Sequence, residues 1–417
     1  MRNATSTLIV SAVGLFISAA IGVAFADTID KQEFAQIQQG RYLTIVGDCA
    51  ACHTLLGSGH DFAGGRPIET PFGQLLAPNI TPDKETGIGA WTDDEFVNAL
   101  VKGTGRDGKR LYPAMPYTYY TKLTRDDALA IRAYLNTVPS VRHLVKSNQL
   151  PFPFDLRVSL VEWDALFFKP GTFRPDPNKS AEWNRGAYLV EGLNHCGACH
   201  TPKDILGGDK TRDALHGYAL QGWFAPEITN NSPRGLGDWS ADEIVAYLKT
   251  GHNSTNAASG LMAEMIMRSS SHMTDADLKA VAAYLKDKPS QKDNPAAAKP
   301  DENVMKIGAA IYADECAGCH MANGKGAAGL FPTLNGSAVV QQSDPASLLH
   351  VVLRGARSAA TDGAPTGAAM PEFAWILNDA QVAAVLTYIR NAWGNAAPPV
   401  SAGEVGKARH ALSERAD

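Results

Sequence analysis

The chain has 417 residues, with 38 Lys and Arg set against 43 Asp and Glu, for a formal charge of −5. Its length suits two or three domains. A weakly acidic balance with no basic stripe excludes a nucleic-acid footprint.

The N-terminus carries Arg2, an apolar run from Leu8 to Phe25, and Ala24-Phe25-Ala26. A basic start, a short apolar core and a small-x-small site read as a secretory signal peptide over residues 1–26, cut before Asp27. A retained membrane anchor is the alternative. In a bacterium the signal means export to the periplasm. No later stretch approaches the roughly 20 apolar residues that span a bilayer.

Residues 27–145 form a first unit. Gly40-Arg41-Tyr42-Leu43 opens a helix that leads into Cys49-Ala-Ala-Cys52-His53. A Gly/Pro-rich stretch follows, then Ala77-Pro78-Asn79-Ile80-Thr81. Thr92 with Glu95 spells a capping box, so a helix begins there and stops near Gly103. Met115 follows, and a last helix starts at Thr124.

Residues 146–180 are an aromatic-rich connecting segment, with Pro151-Phe152-Pro153-Phe154, Trp163, Phe167, Phe168 and Phe173. Its expected role is to pack across the units on either side; a docking surface for a partner subunit or a lipid interface is the sharper reading.

Residues 181–290 repeat the order of the first unit. Gly186-Ala187-Tyr188-Leu189 leads into Cys196-Gly-Ala-Cys199-His200, Ala225-Pro226-Glu227-Ile228-Thr229 echoes the earlier string, and Ser240 with Glu243 rebuilds the capping box. Gly251 ends that helix, and the last one starts at Thr274. After a linker (291–299), a third and shorter unit covers 300–395 and carries Cys316-Ala-Gly-Cys319-His320. Residues 396–417 are rich in Ala, Pro and charge and are expected to form a flexible tail.

All six cysteines lie in these three motifs. C-x-x-C-H is the attachment signal for c-type haem. On a helix, positions i, i+3 and i+4 share a face, so two thiols can bond two vinyl groups while the histidine reaches the iron. Disulfides would not place a histidine after every second cysteine, and three C-x-x-C pairs do not divide into four-ligand zinc sites. The expectation is three covalently bound haem c groups, on Cys49, Cys52, Cys196, Cys199, Cys316 and Cys319. The fold class is then all-α, with three tandem class I-type cytochrome c domains and loop-rich haem pockets.

Axial iron ligands follow from the same motifs. His53, His200 and His320 are the proximal candidates. Methionine on the other face raises the potential and closes the iron to substrate. Met115 and Met262 each lie 63 residues past the second cysteine of their motif (115 − 52, 262 − 199), and Met370, in Ala369-Met370-Pro371, is the candidate in the third unit. Met265, Met267 and Met273 read as core fillers. A ligating histidine gives its other N–H to a carbonyl or carboxylate; Pro78, Pro226 and Pro332 are placed to supply carbonyls. His195 is expected at the surface. Gly324-Lys-Gly326-Ala-Ala-Gly329 fits G-x-G-x-x-G, but it follows a haem histidine rather than a strand, so it reads as a loop at the haem edge. No catalytic constellation is visible, and neither flavin nor NAD is expected in this chain.

The strings Thr70-Pro71-Phe72-Gly73, Asn79-Ile80-Thr81-Pro82-Asp83, Gly87-Ile88-Gly89-Ala90-Trp91, Leu111-Tyr112-Pro113-Ala114-Met115-Pro116-Tyr117 and Gly197-Ala198-Cys199-His200-Thr201-Pro202 resemble the three-haem cytochrome c subunits of bacterial membrane-bound dehydrogenases that oxidise alcohols, gluconate, sorbitol, fructose or aldehydes. The resemblance implies a partner flavin- or quinone-bearing dehydrogenase subunit, with or without a small third subunit. It implies electron delivery to ubiquinone or an oxidase, and peripheral association with the periplasmic face of the cytoplasmic membrane. The chain is then not an enzyme by itself but the electron-transfer subunit of such a complex. A free-standing periplasmic multihaem shuttle is the alternative; a haem peroxidase would need an iron with an open side.

Overall fold

The computed structural model describes residues 31–290 and 299–415. The expected signal peptide and most of the 291–299 linker lie outside the described residues.

Each of the three units is built on the same crossing of two helices. A leading helix runs into the C-x-x-C-H motif: residues 31–46, Ala181–Tyr188 and Glu302–Ile311. A closing helix ends the unit: Arg125–Leu135, Asp275–Lys286 and Asp379–Ile389. At each crossing a glycine lets backbone meet backbone. A Cβ on Gly40 would stand 1.7 Å from the carbonyl oxygen of Ala130; on Gly186, 2.0 Å from that of Ala280; on Gly308, 2.2 Å from that of Ala384. No side chain fits there, so three glycines at one relative position set three equal crossings.

Local signals place the remaining helices. Thr92 caps Asp93–Lys102 and Ser240 caps Ala241–Thr250, both with the reciprocal Glu95 and Glu243 contacts of a capping box. Gly103 and Gly251 end them in the left-handed region, at φ 61° and 81°. Strands are few. Antiparallel hairpins join Pro67–Thr70 to Gly73–Leu76 and Tyr218–Leu220 to Trp223–Ala225, and Ala356–Arg357 pairs with Ala369–Met370. The first two hairpins occupy one place in the two longer repeats.

The cores do not follow the three repeats. One apolar cluster runs through Leu43, Val46 and Leu135 of the first unit and Leu189, Leu193 and Leu285 of the second. The third unit has its own, from Tyr312 to Leu412. The first two units are joined reciprocally. Tyr42 of the first leading helix donates to Asp277 of the second closing helix (2.6 Å). Tyr188 of the second leading helix donates to Asp127 of the first closing helix. This is the pattern of a two-fold interface, inside one chain. Arg185 adds two bonds to Asp277, both 2.7 Å, and Ser269 donates to the Val46 carbonyl (2.9 Å).

Two regions differ from expectation or add to it. The expected flexible tail is an ordered helix, Ala402–Ser413, with a Ser401/Glu404 capping box. Val405 and Leu412 are buried in the third core, and Arg409 donates to Asp379 and to the carbonyls of Ala374 and Leu377. Two apolar residues on one face and a forked cation outweigh the Ala/Pro-rich composition. The connecting segment packs inward across both neighbours, as expected. Asp164, buried, accepts from Tyr117 (2.7 Å) and Arg110 (2.8 Å); Trp163 donates to the Leu206 carbonyl (2.9 Å); Phe173 meets Tyr188 edge-on. Among the described residues no helix is long and apolar enough to cross a membrane.

Candidate haem-binding sites

Each C-x-x-C-H motif sits on one helical turn: Cys49–His53, Gly197–His200 with Cys196 as its N-cap, and Ala317–His320 with Cys316 as its N-cap. The two cysteines of each pair thus face the same way. No two of the six pair as a disulfide, and no three His, Cys, Asp or Glu side chains converge on a metal-sized site among the described residues. Burial pushes the thiols of Cys49, Cys52, Cys196 and Cys316 up to about 12.

The histidines are oriented alike. His53 Nδ1 meets the Pro78 carbonyl at 2.7 Å, His200 Nδ1 that of Pro226 at 2.6 Å, and His320 Nδ1 that of Pro332 at 3.0 Å. A carbonyl only accepts, so each Nδ1 carries the proton and each Nε2 keeps its lone pair. Burial lowers the pKa of all three imidazoles, against the smaller opposing effect of the carbonyl. A neutral ring with Nε2 free is the form that binds iron. Paired thiols on one helical turn, half-buried or exposed, beside a tautomer-locked imidazole fit covalent haem.

Met115 lies in the turn before the short helix Tyr117–Tyr120 and packs against the shared core. Met262 lies near the start of Gly260–Arg268, against Ala258, Ile266 and Ala359. Met370 sits on the small ladder opposite Ala356, against the third core. Of the other second-unit methionines, Met273 is buried in the core and Met265 is half-buried. Met267 is 39% exposed and fills no core: it falls on the outward face of its helix. The 324–329 glycine string forms the loop beneath His320, with Gly326 N–H donating to the His320 carbonyl (3.1 Å); no strand leads into it.

The first two motifs are neighbours, which sequence reasoning missed. Gly47 packs on Leu193, each just ahead of its motif, and the Tyr119 hydroxyl lies against Gly197 inside the second motif. Burial and then Asp48 dominate the Cys52 shift, and Cys199 adds to it across the contact. His195 is not a surface residue. It is half-buried with its ring edge-on to Tyr120, whose hydroxyl donates to the Gly47 carbonyl (2.9 Å). The repeated Gly-x-Tyr at 40–42 and 186–188 was the available signal. Asp48, in the left-handed region at φ 52°, is also new: burial and then Glu264 raise its pKa to about 8. Across the same contact Arg66 makes a forked pair with Glu264.

The cytochrome c family pattern matches residues 37–139, 184–288 and 305–393. The chain belongs to the cytochrome c family. It is 39% identical over 391 residues to the gluconate 2-dehydrogenase cytochrome c subunit of Pantoea cypripedii, covering 88% of each chain. It is 39% identical over 408 residues to the cytochrome c subunit of a quinone alcohol dehydrogenase of Gluconacetobacter polyoxogenes, covering 93% of this chain and 87% of that one. It is 37% identical over 405 residues to the fructose dehydrogenase cytochrome subunit of Gluconobacter japonicus, covering 89% and 82%.

Proposed function

We propose that this cytochrome c is the three-haem electron-transfer subunit of a membrane-bound dehydrogenase. Cys49 and Cys52, Cys196 and Cys199, and Cys316 and Cys319 hold the haems. His53, His200 and His320 are the proximal ligands, and Met115, Met262 and Met370 the distal ones. Bound haem supplies the one-electron couple. The chain holds each imidazole by a proline carbonyl and keeps two of the three sites side by side. Electrons enter from a flavin- or quinone-bearing subunit and leave to ubiquinone or an oxidase at the periplasmic face of the cytoplasmic membrane.

The observation that carries this reading is the threefold recurrence of one unit, thiol pair, histidine and proline carbonyl, in a chain similar along most of its length to dehydrogenase cytochrome subunits. Mass analysis of the digested protein tests it: each motif peptide should carry one added haem, and a peptide lacking it removes that site. Co-purification with a large dehydrogenase subunit tests the partner; a chain that always purifies alone favours the free shuttle. Met115→Leu should leave haem attached, lower that haem's potential and open its iron to carbon monoxide. An unchanged potential would reject Met115 as a ligand.

A further inference from the structure

The backbone of Met115 is tied on either side to a tyrosine. Its N–H donates to the Tyr112 carbonyl (2.9 Å), and its carbonyl accepts from the Tyr117 N–H (2.7 Å). Both tyrosine hydroxyls are held by the connecting segment. That of Tyr112 donates to the carbonyls of Phe154 (3.1 Å) and Asp155 (3.2 Å). That of Tyr117 donates to Asp164 Oδ1 (2.7 Å), while Asp164 Oδ2 accepts from Arg110 (2.8 Å). One buried carboxylate thus grips the loop five residues before Met115 and two after it. The rest of the segment follows the same loop. Arg157 lies over the Tyr112 ring at 4.4 Å, Phe168 meets Tyr117 edge-on at 5.2 Å, and Gly171 N–H donates to the Thr121 hydroxyl (2.9 Å).

The second unit repeats the device with different parts. Leu111 N–H closes on the Gly103 carbonyl (2.8 Å) and Ala258 N–H on that of Gly251 (2.7 Å); Met115 and Met262 each follow four residues later. The Ala258 carbonyl accepts from Ala359 N–H of the third unit (2.9 Å), and Ser259 pairs with Ser358. Two residues past Met262, where Tyr117 stands in the first unit, Glu264 makes its forked pair with Arg66 of the first unit. Both methionine loops are therefore gripped ahead of the methionine and two residues behind it, each time from another part of the chain. The bonds differ, but the places they hold are the same. A ligand reaches its metal at a fixed distance and angle only when the groups behind it are themselves locked.

We propose that Asp164 is a positioning residue for the distal ligand of the first haem: by holding Arg110 and Tyr117 it keeps Met115 in ligating position. The connecting segment is then part of the first haem site. This rests on Met115 being the distal ligand. Two effects of removing Asp164 have opposite signs, which separates positioning from charge. A freed methionine lowers the haem's potential, because methionine ligation raises it. Loss of a nearby carboxylate raises the potential, because an anion favours the more positive, oxidised haem.

The test uses the haem-loaded, full-length protein, with Met115→Leu marking which signals belong to the first haem. Asp164→Ala should leave all haems attached, weaken the methionine-to-iron absorption band of the oxidised first haem and lower its potential. It should also open that iron to carbon monoxide about tenfold more, the worth of one hydrogen bond to a charged group. Asp164→Asn keeps an acceptor for Tyr117 and should restore most of the band. Tyr117→Phe removes the same bond from the other end with no charge left unpaired; it should act in the same direction, and reads the proposal if Asp164→Ala fails to fold. A lower melting temperature with band, potential and carbon monoxide binding unchanged would make Asp164 structural and overturn the proposal. A raised potential with the band intact would overturn it in favour of charge alone. Should Met115→Leu itself change nothing, the ligand assignment fails and the proposal with it; should Met115→Leu act while Asp164→Ala and Tyr117→Phe do not, only the proposal fails.

Discussion

The first two units and the third share a helix crossing but not a way of meeting neighbours. Gly40, Gly186 and Gly308 bring leading and closing helices together identically. Two residues past the glycine, the first two units carry Tyr42 and Tyr188, where the third has Ala310. Three residues past the cap of the closing helix they carry Asp127 and Asp277, where the third has Gln381. Without the phenol and the carboxylate, the third unit cannot make the reciprocal pair. It instead meets the second unit by bonds to that unit's backbone, from backbone N–H groups (Thr333 to the Thr255 carbonyl, 2.8 Å; Ala359 to that of Ala258, 2.9 Å) and from side chains (Gln342 to the Arg234 carbonyl, 2.6 Å; Ser347 to that of Phe224, 3.0 Å). His350 also stacks on Trp223 at 3.9 Å. The crossing is thus common to all three units, while a reciprocal pair of Tyr–Asp bonds and a shared apolar core join only the first two.

That comparison is easiest to break at the glycines. Gly186→Ala and Gly308→Ala each press a methyl into a backbone carbonyl, which cannot swing aside as a side chain could, and each should cost about 3 kcal/mol. The consequences should differ in extent. Gly186→Ala should raise hydrogen exchange in the first and second units together, and Gly308→Ala in the third alone. Exchange confined to the second unit after Gly186→Ala would mean that the shared core is not cooperative.

The Tyr–Asp exchange comes next. Asp277→Ala leaves Arg185 and Tyr42 without their acceptor and should cost about 2 kcal/mol, with the loss seen as loosening between the first two units. The same site responds to acid. Burial raises the Asp277 pKa, but the bonds from Arg185 and Tyr42 and the Arg185 charge outweigh burial and leave it below 3.8, its ordinary value. A carboxylate depressed in the folded state contributes stability that is fully present above the ordinary value and is lost as pH falls through the folded one. The interface should therefore hold through mild acid and loosen only below about pH 4. Asp277→Asn should remove that acid limb from a melting-temperature profile.

What was legible in the sequence was local. The haem motifs, both capping boxes and the proline carbonyls depend on residues that are close in sequence or repeat at fixed offsets, and the structure places His53 on Pro78, His200 on Pro226 and His320 on Pro332. What was missed is non-local and polar. Tyr42 and Asp277 are 235 positions apart, and a lone Tyr or Asp carries no period or spacing that points to its partner. His195 was misplaced for the same reason: its burial comes from Tyr120, on another unit. The 402–413 helix was hidden by composition. Val405 and Leu412 with Ala408 hold it to the core, and Arg409 and Arg354 tie it by hydrogen bonds; two large apolar residues are too few to show as a stripe.

That helix offers the finest test of where the third unit ends. Arg390, fully buried, holds the carbonyls of Pro398 and Gln342, each at 2.8 Å, so the chain is already fixed where the helix begins. Ser401 accepts from the Glu404 N–H while Glu404 returns a bond to Ser401 N–H at 2.8 Å. Ser401→Ala removes the cap and should cost about 1 kcal/mol. Because Leu412 packs into the same core as Leu353 and Leu386, that loss should appear in the melting of the third unit and leave the paired units unchanged. A helix that frays with no change in that melting would show that residues 402–413 rest on the third unit without being part of its core.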